Sequence, residues 1–174
     1  FRGKAAVEQA LRDLGVSHAV LRPAILFGGD GVLLNNIAWL LRRLPVFAVG
    51  GTGEYRIRPI HVNDLARLAV RAGDSAVTEV IDAVGPERPT FLALVQTIRA
   101  AVGSRSQVIR VPGTLIPAAA RVLGLALRDT LLTAEEYQAM ADGLADTDGP
   151  ATGETALSQW IADHQDTLGR VYAN

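Results

Sequence analysis

The first half of the chain alternates segments of helical hydrophobic period with short apolar runs that stop at proline or glycine. One helical face repeats at three- and four-residue steps through Val7, Ala10, Leu11 and Leu14. Gly15 follows where that helix would end. The run 18–23 is apolar and stops at Pro23, which is typical of a buried parallel strand. Repeated helix and buried strand predict an α/β fold.

The same alternation continues to about residue 85. Further helices are predicted over 33–44 and 62–72, and strands over 56–61 and 77–83. The glycine-rich runs 28–31 and 50–53 predict loops between these elements. They lack the strand, Gly-x-Gly-x-x-Gly and helix order of a dinucleotide phosphate cradle.

The pattern changes after Pro89, and the second half is predicted to be mainly helical. One helix is predicted to begin after Thr90 as N-cap, and another over 113–128. A third is predicted to begin at a capping box formed by Thr133 and Glu136. The last carries an apolar stripe of Leu157, Trp160, Ile161, His164 and Leu168. Residues 107–111 predict a strand. The helix over 113–128 is apolar nearly all round, so it is either deeply buried or covered by another surface. Residues 142–153 predict a mobile connection with solvated aspartates.

Composition excludes several classes of function. With 17 basic and 18 acidic residues the net charge is −1, which argues against a nucleic-acid partner. The absence of cysteine excludes disulfide scaffolds, thiolate zinc sites and thiol catalysis. No apolar run reaches the roughly 18 residues of a membrane span, so a soluble, cytoplasmic protein is expected. The three histidines lack the spacing of a metal site, and no metal is expected.

The basic residues are sixteen arginines and a single lysine, Lys4. Genome composition is a sufficient reason for the arginine bias. A single lysine can nevertheless mark a position where a compact ammonium is needed and a guanidinium does not serve.

Four short motifs follow one another along the chain. Lys4 and Glu8 lie on one predicted helix; 21–28 reads Leu-Arg-Pro-Ala-Ile-Leu-Phe-Gly; 59–66 reads Pro-Ile-His-Val-Asn-Asp-Leu-Ala; and 85–87 leads into the Thr-capped helix. This series resembles the C-terminal half of an extended or atypical short-chain dehydrogenase/reductase, the family of NAD(P)-dependent epimerases and dehydratases. The likeness is greatest to the branch that contains the NAD(P)-binding accessory subunit of respiratory complex I.

The resemblance implies the domain organisation. Residues 1–87 would be the C-terminal half of a Rossmann-like domain whose phosphate-binding half lies outside this fragment, and 88–174 a small, mainly helical substrate or lid region. Residues 1–4 would be the last four positions of a Tyr-x-x-x-Lys motif, which makes Lys4 a catalytic and cofactor-binding residue.

A lysine four residues after a tyrosine has a physical reason in such an enzyme. Hydride transfer needs a proton donor or acceptor at the substrate oxygen, and a phenol of pKa near 10 serves poorly at neutral pH without a nearby positive charge. Residues four apart share one helical face, so the ammonium can stabilise the phenolate and also bind ribose hydroxyls.

The resemblance also implies further site residues. Pro23, Ala24 and Ile25 would lie against the nicotinamide, although Pro23 is equally well explained as a strand terminator. Asn35 or Asn36 would face the substrate, or else cap a helix. Arg58, or Arg56, would hold a diphosphate, or else be a surface residue flanking a strand.

His61 is the third predicted substrate-binding residue, with a purely structural role as the alternative. The stretch that carries it reads Arg-Pro-Ile-His where the sugar-nucleotide epimerases have Arg-Asp-Tyr-Ile-His. This departure argues against a nucleotide-sugar substrate.

The expected function is therefore that of an NAD(P)-binding oxidoreductase or epimerase that uses NAD or NADP. The alternative is a non-catalytic NAD(P)-binding accessory or assembly protein on the same fold; a helical interaction module would leave the ordered motifs unexplained. The expected partners are a small-molecule substrate, either a nucleotide sugar or a quinone- or isoprenoid-like compound, and a second copy or a respiratory-complex subunit.

Overall fold

A computed structural model describes residues 2–29, 31–127 and 134–173. The helices are α1 (Arg2–Asp13), α2 (Val32–Arg43), α3 (Val62–Gly73), α4 (Phe91–Ala101), α5 (Ile116–Leu127), α6 (Ala134–Ala141) and α7 (Leu157–Asp163), with a 3-10 turn at Gly113–Leu115. The strands are β1 (Ala19–Pro23), β2 (Leu26–Phe27), β3 (Val46–Gly50), β4 (Ile60–His61), β5 (Glu79–Ala83) and β6 (Gln107–Val111). The predicted α/β fold is confirmed.

The strands form three parallel pairs: β1 with β5, β2 with β4, and β3 with β6. Parallel strands cannot be joined by a tight turn, so each pair is connected through at least one intervening helix. At the carboxyl ends, Pro23 lies opposite Ala83 and Phe27 lies opposite His61.

Two strands differ from the prediction. The strand expected over 56–61 is reduced to β4, and Arg56 makes only an isolated antiparallel bridge with Thr90. Pro59 supplies no backbone donor, which limits the ladder at this point. Strand β3 was not predicted, although its apolar run between Pro45 and Gly50 fits the strand pattern; it pairs with β6.

The main hydrophobic core joins α2, α4, α7 and β3. Its buried members are Phe27, Leu34, Ile37, Ala38, Leu41, Val49, Ile57, Leu92, Leu94, Val95, Ile98, Val102, Ala145, Leu157, Ile161 and Leu168. These residues come from both sides of the predicted boundary at 87/88, and the division into two regions stays a prediction. A smaller cluster of Ile60, Leu68 and Ala83 packs under β1 and β5.

The segment 142–153 is held against the body of the protein, so the expectation of a mobile connection was wrong. Arg88 forms a bidentate ion pair with Asp146, at 2.5 and 2.6 Å, and a second pair with Asp148 at 2.6 Å. The Thr152 hydroxyl accepts a hydrogen bond from the backbone N–H of Val84 at 2.8 Å. Asp146 and Asp148 are therefore counterions of an arginine, although the Asp148 side chain stays solvated; Asp142 accepts a hydrogen bond from Gln138 instead.

Some sequence features fall outside the described residues, namely Phe1, Asp30, Arg128 and the capping residue Thr133. In the parts of the chain that the structure covers, no helix has both the length and the apolar character needed to cross a membrane.

Candidate functional site

Lys4 lies near the start of α1 and its side chain is exposed. One turn further along the same helix, the Glu8 carboxylate accepts hydrogen bonds from Arg12 at 2.8 Å and from Arg22 of β1 at 2.6 Å. The hydrogen bond from Arg22 lowers the pKa of Glu8 against the opposing effect of burial, and Arg12 adds to the lowering. Glu8 thus ties the helix that carries Lys4 to the carboxyl end of β1.

Pro23, Ala24 and Ile25 form the turn between β1 and β2. Pro23 and Ala24 are exposed, whereas Ile25 is half-buried and packs against the main core. The Ile25 carbonyl accepts a hydrogen bond from the Ile60 N–H at 2.9 Å, which fixes the turn against β4. The predicted cofactor-binding residues therefore present an open backbone edge at the carboxyl ends of parallel strands, where α/β sheets bind their ligands.

His61 closes β4 and caps α3. Its Nδ1 accepts a hydrogen bond from the Asn63 N–H at 3.1 Å, so a neutral His61 carries its proton on Nε2. The ring lies edge-on to Phe27, with centroids 5.2 Å apart. Gly28 has a φ of 101°, and a Cβ at this position would overlap Nε2 of His61. The histidine therefore requires glycine at the start of the loop after β2.

Asn35 and Asn36 are occupied by the C-terminal segment. Asn35 donates to the Val171 carbonyl at 2.8 Å and accepts from the Gly169 N–H at 2.9 Å. The buried Asn36 both donates to and accepts from the backbone of Ala173, at 2.8 and 3.0 Å. Neither amide caps a helix, and both fasten segment 168–173 onto α2.

Arg58 is buried, with 8% of its surface exposed, and its guanidinium donates to backbone carbonyls. The acceptors are Gly85 at 3.2 Å, Thr147 at 2.9 Å and Gly149. Arg56, by contrast, is exposed and donates to the Arg88 carbonyl at 3.0 Å. The two arginines therefore differ in how open they are to a ligand.

Some of the predicted site residues lie near one another in the structure, whereas others form hydrogen bonds within the protein. The helix that carries Lys4 is tied, through the ion pair of Glu8 with Arg22, to the strand that leads into the turn at 23–25. His61 lies beside the end of β2, which continues that turn. Asn35 and Arg58 make the intrachain hydrogen bonds described above.

Two further features were not expected from the sequence. The ion pair of Glu8 with Arg22 joins residues 14 apart, and the opposite charges on a predicted helix and strand were its only sequence signal. At the carboxyl end of β3, Tyr137 fits closely against Gly50 and Gly113, where a Cβ would overlap its ring. Tyr55 stacks on Phe91 beside it, with centroids 5.3 Å apart, and burial raises the pKa of the Tyr55 phenol.

Comparison with solved structures gives the class of fold. A triphenylmethane reductase from Citrobacter sp. superposes over 94% of this chain with a TM-score of 0.71 and 17% identity. The UDP-glucuronic acid 4-epimerase of Bacillus cereus covers 98% of it with a TM-score of 0.58 and 16% identity. The chain has the Rossmann-type fold of NAD(P)-binding reductases and epimerases, as predicted. It spans 58% and 51% of these two proteins.

The cofactors seen in these neighbours agree with the predicted one. The reductase has been solved with NADP(H), and the epimerase with NAD.

The sequence comparison points to one particular relative. Over 140 residues, 79% of this chain, it is 25% identical to the 40 kDa subunit of NADH-ubiquinone oxidoreductase from Neurospora crassa mitochondria. The chain spans 36% of that subunit. No family model matches the sequence. The predicted resemblance to the branch with the complex I accessory subunit is confirmed at this level.

Proposed function

We propose that this chain is the C-terminal part of an NAD(P)-dependent oxidoreductase or epimerase, with Lys4 in its active site. The observation that supports the proposal is the link from Lys4, through Glu8 and Arg22, to an open turn at the carboxyl ends of parallel strands. This edge is where α/β folds place nicotinamide cofactors.

The residues at this edge suit the nicotinamide end of such a cofactor. Lys4 presents an exposed ammonium that forms no ion pair with any other residue the structure describes. Pro23 and Ala24 are exposed and compact, which leaves room for a flat ring against the backbone. The phosphates would be held by a glycine-rich loop elsewhere in the longer protein, because neither glycine run here has the required form.

When bound, the cofactor supplies or accepts a hydride. The task of Lys4 is to donate hydrogen bonds to a ribose hydroxyl and to hold a positive charge beside a tyrosine four residues before it. That charge stabilises the phenolate, so the phenol exchanges a proton with the substrate oxygen near neutral pH. The tyrosine itself would lie outside these 174 residues.

The predicted substrate-binding side chains differ in how free they are to contact a substrate. Arg56 is open to an anionic group, whereas Arg58 and Asn35 would have to exchange intrachain hydrogen bonds for substrate contacts. His61 can donate from Nε2 while Nδ1 stays bonded to the helix. We therefore favour Arg56 over Arg58 as the residue that binds an anionic substrate.

A second candidate function is a non-catalytic subunit that holds the nucleotide as a structural element. The similarity to the complex I 40 kDa subunit favours it. In that case the same edge binds NAD(P), no substrate turns over, and the partner is another subunit of a respiratory complex. A cytoplasmic location stays part of the first candidate.

The test uses the full-length protein. Nucleotide released on denaturation is identified by mass spectrometry, and hydride transfer from NADH and NADPH is measured with a nucleotide sugar and with a short-chain quinone. Under the enzyme proposal Lys4→Ala lowers turnover by about 100-fold or more, the size expected for general acid–base catalysis. Lys4→Arg keeps the positive charge but changes the shape of the cationic group, so it separates the contribution of charge from that of shape. Bound nucleotide without turnover supports the subunit, and the absence of NAD(P) binding overturns both candidates.

A further inference from the structure

Helix α1 is attached to the described part of the protein in an unusual way. Among residues 3–13 the only buried one is Glu8, and Leu11 is half-buried. The apolar residues Val7 and Leu14 are 61% and 71% exposed. A buried carboxylate, and not an apolar face, therefore sets the position of this helix.

The Glu8 carboxylate makes one bond within the helix and one to the sheet. Oε1 accepts from Arg12 in the next turn at 2.8 Å and from Arg22 on β1 at 2.6 Å. Arg22 directly precedes Pro23 and lies opposite Asp82 of β5, whose negative charge adds to the stabilisation of the guanidinium. The bond to Arg22 thus fixes α1 relative to the turn at 23–25.

Lys4 lies one turn before this carboxylate on the same helix. Lys4 and Glu8 are four residues apart on one helical face, a spacing at which a glutamate and a lysine readily pair. Both arginines bond to Oε1 of Glu8, and within the described residues the Lys4 ammonium forms no ion pair with this carboxylate.

We infer that Glu8 is a positioning residue: its ion pair with Arg22 holds α1, and with it Lys4, against the carboxyl end of β1. This inference rests on the proposed function. It predicts that Glu8 affects cofactor binding through Lys4 and not through general stability.

The experiment is a double-mutant cycle on the full-length protein, with Kd for NADPH and NADH measured by fluorescence titration. Glu8→Gln is expected to weaken binding about tenfold, a coupling typical of residues in one ion-pair network. In the Lys4→Ala background the same change is expected to weaken binding less than about twofold. Arg22→Gln should reproduce the effect of Glu8→Gln, and Arg22→Lys should restore at least half of the affinity.

The control is Asp13→Asn on the same helix, where Asp13 accepts from Gln9 at 2.8 Å and has no part in the site. It should leave both Kd values unchanged. Hydrogen exchange of α1 is followed in every variant, and if Glu8→Gln does not fold, Arg22→Gln completes the cycle.

The outcomes are separable. Equal effects of Glu8→Gln with and without Lys4, or normal affinity in Glu8→Gln, overturn the inference alone. Wild-type protein that binds neither NADPH nor NADH overturns the proposed function instead.

Discussion

Helices α1 and α2 are both twelve residues long and both carry an apolar stripe, yet they use it differently. The stripe of α2 enters the core, where Leu34, Ala38 and Leu41 are 2% exposed or less. The stripe of α1 leaves Val7 exposed, as is Leu14 in the turn directly after the helix. Amphipathic period therefore shows that a face needs a partner, but not that the partner lies within these residues.

The polar residues of α2 also make more bonds to the rest of the protein than those of α1 do. On α2, Asn35, Asn36, Arg42 and Arg43 bind the backbone of the segment 165–173. On α1, Glu8 reaches a single arginine outside the helix. The α2 helix is thus fixed by packing and many bonds, and α1 by one ion pair.

The largest loss of stability is expected when a side chain of the buried stripe of α2 is truncated. Leu41→Ala, at a side chain 1% exposed, should lower the free energy of unfolding by about 2–5 kcal/mol through lost burial and a cavity. Urea unfolding of the 174-residue chain measures the change. Leu14→Ala, in the turn directly after α1, is the control, with an expected loss below about 0.5 kcal/mol. Equal losses would remove the contrast between the helices.

The polar contacts of α2 come next. Asn36→Ala removes both partners of the Ala173 backbone and should cost about 1–3 kcal/mol. Faster hydrogen exchange confined to 165–173 would locate the change. The exposed Asn63 on α3 gives the control, Asn63→Ala, and a comparable loss in that variant would contradict the assignment.

A buried carboxylate on α3 makes stability depend on pH. Asp64 is 3% exposed; burial opposes its ionisation, but hydrogen bonds from Thr155 and Glu154 and the charge of Arg67 outweigh it, so its pKa is lowered. A lowered folded pKa gives stability that is full above the unfolded value of about 4 and is lost as pH falls through the folded value.

Asp64→Asn should therefore cost about 1–3 kcal/mol at neutral pH and progressively less below pH of about 4. Urea midpoints measured from neutral to acid pH test this. Stability curves for the two proteins that stay parallel throughout would show that Asp64 does not carry the acid dependence.

The exposed stripe of α1 gives the smallest effect on stability. Leu14→Ser should change the unfolding free energy of the 174-residue chain by less than about 0.5 kcal/mol. If the rest of the longer protein covers α1, the same substitution should cost more than about 1 kcal/mol there. Equal small losses in both proteins would show that this face stays uncovered.

The 174-residue chain alone should bind NADH or NADPH weakly or not at all. The proposed site would offer only the nicotinamide and ribose contacts, whereas the phosphates take much of their binding energy from a glycine-rich loop at a helix N-terminus. Isothermal calorimetry tests this, and a micromolar Kd would contradict it.

Local patterns were sufficient to predict most of the elements. Strand β6 has the predicted bounds, and Thr90 caps α4 through a hydrogen bond from the Ala93 N–H at 3.1 Å, as expected. Strand β3 was missed although its apolar run stops at Gly50, which is the same local signal that predicted the other strands; its pairing with β6 shows only in the folded chain. The connection 142–153 was misread because composition does not show that Arg58 and Arg88 bind it.

The site residues stay a prediction. Motif order indicated Lys4 and the turn at 23–25, and the structure shows an ion pair between Glu8, on the helix of Lys4, and Arg22, directly before that turn. Asparagine and arginine have the same spacing whether they face a ligand or their own backbone. Only the folded chain shows that Asn35 binds segment 168–173 and that Arg58 binds three carbonyls.

The hydrogen bonds between α2 and residues 165–173 have a consequence for synthesis on the ribosome. The amide of Asn36 and its partner Ala173 are 137 residues apart in sequence, so α2 leaves the exit tunnel long before its partner does. Until then its polar groups stay solvated and the Leu168 site in the core stays empty. Contacts of such long range slow folding, and the nascent chain is more prone to aggregation before these hydrogen bonds form.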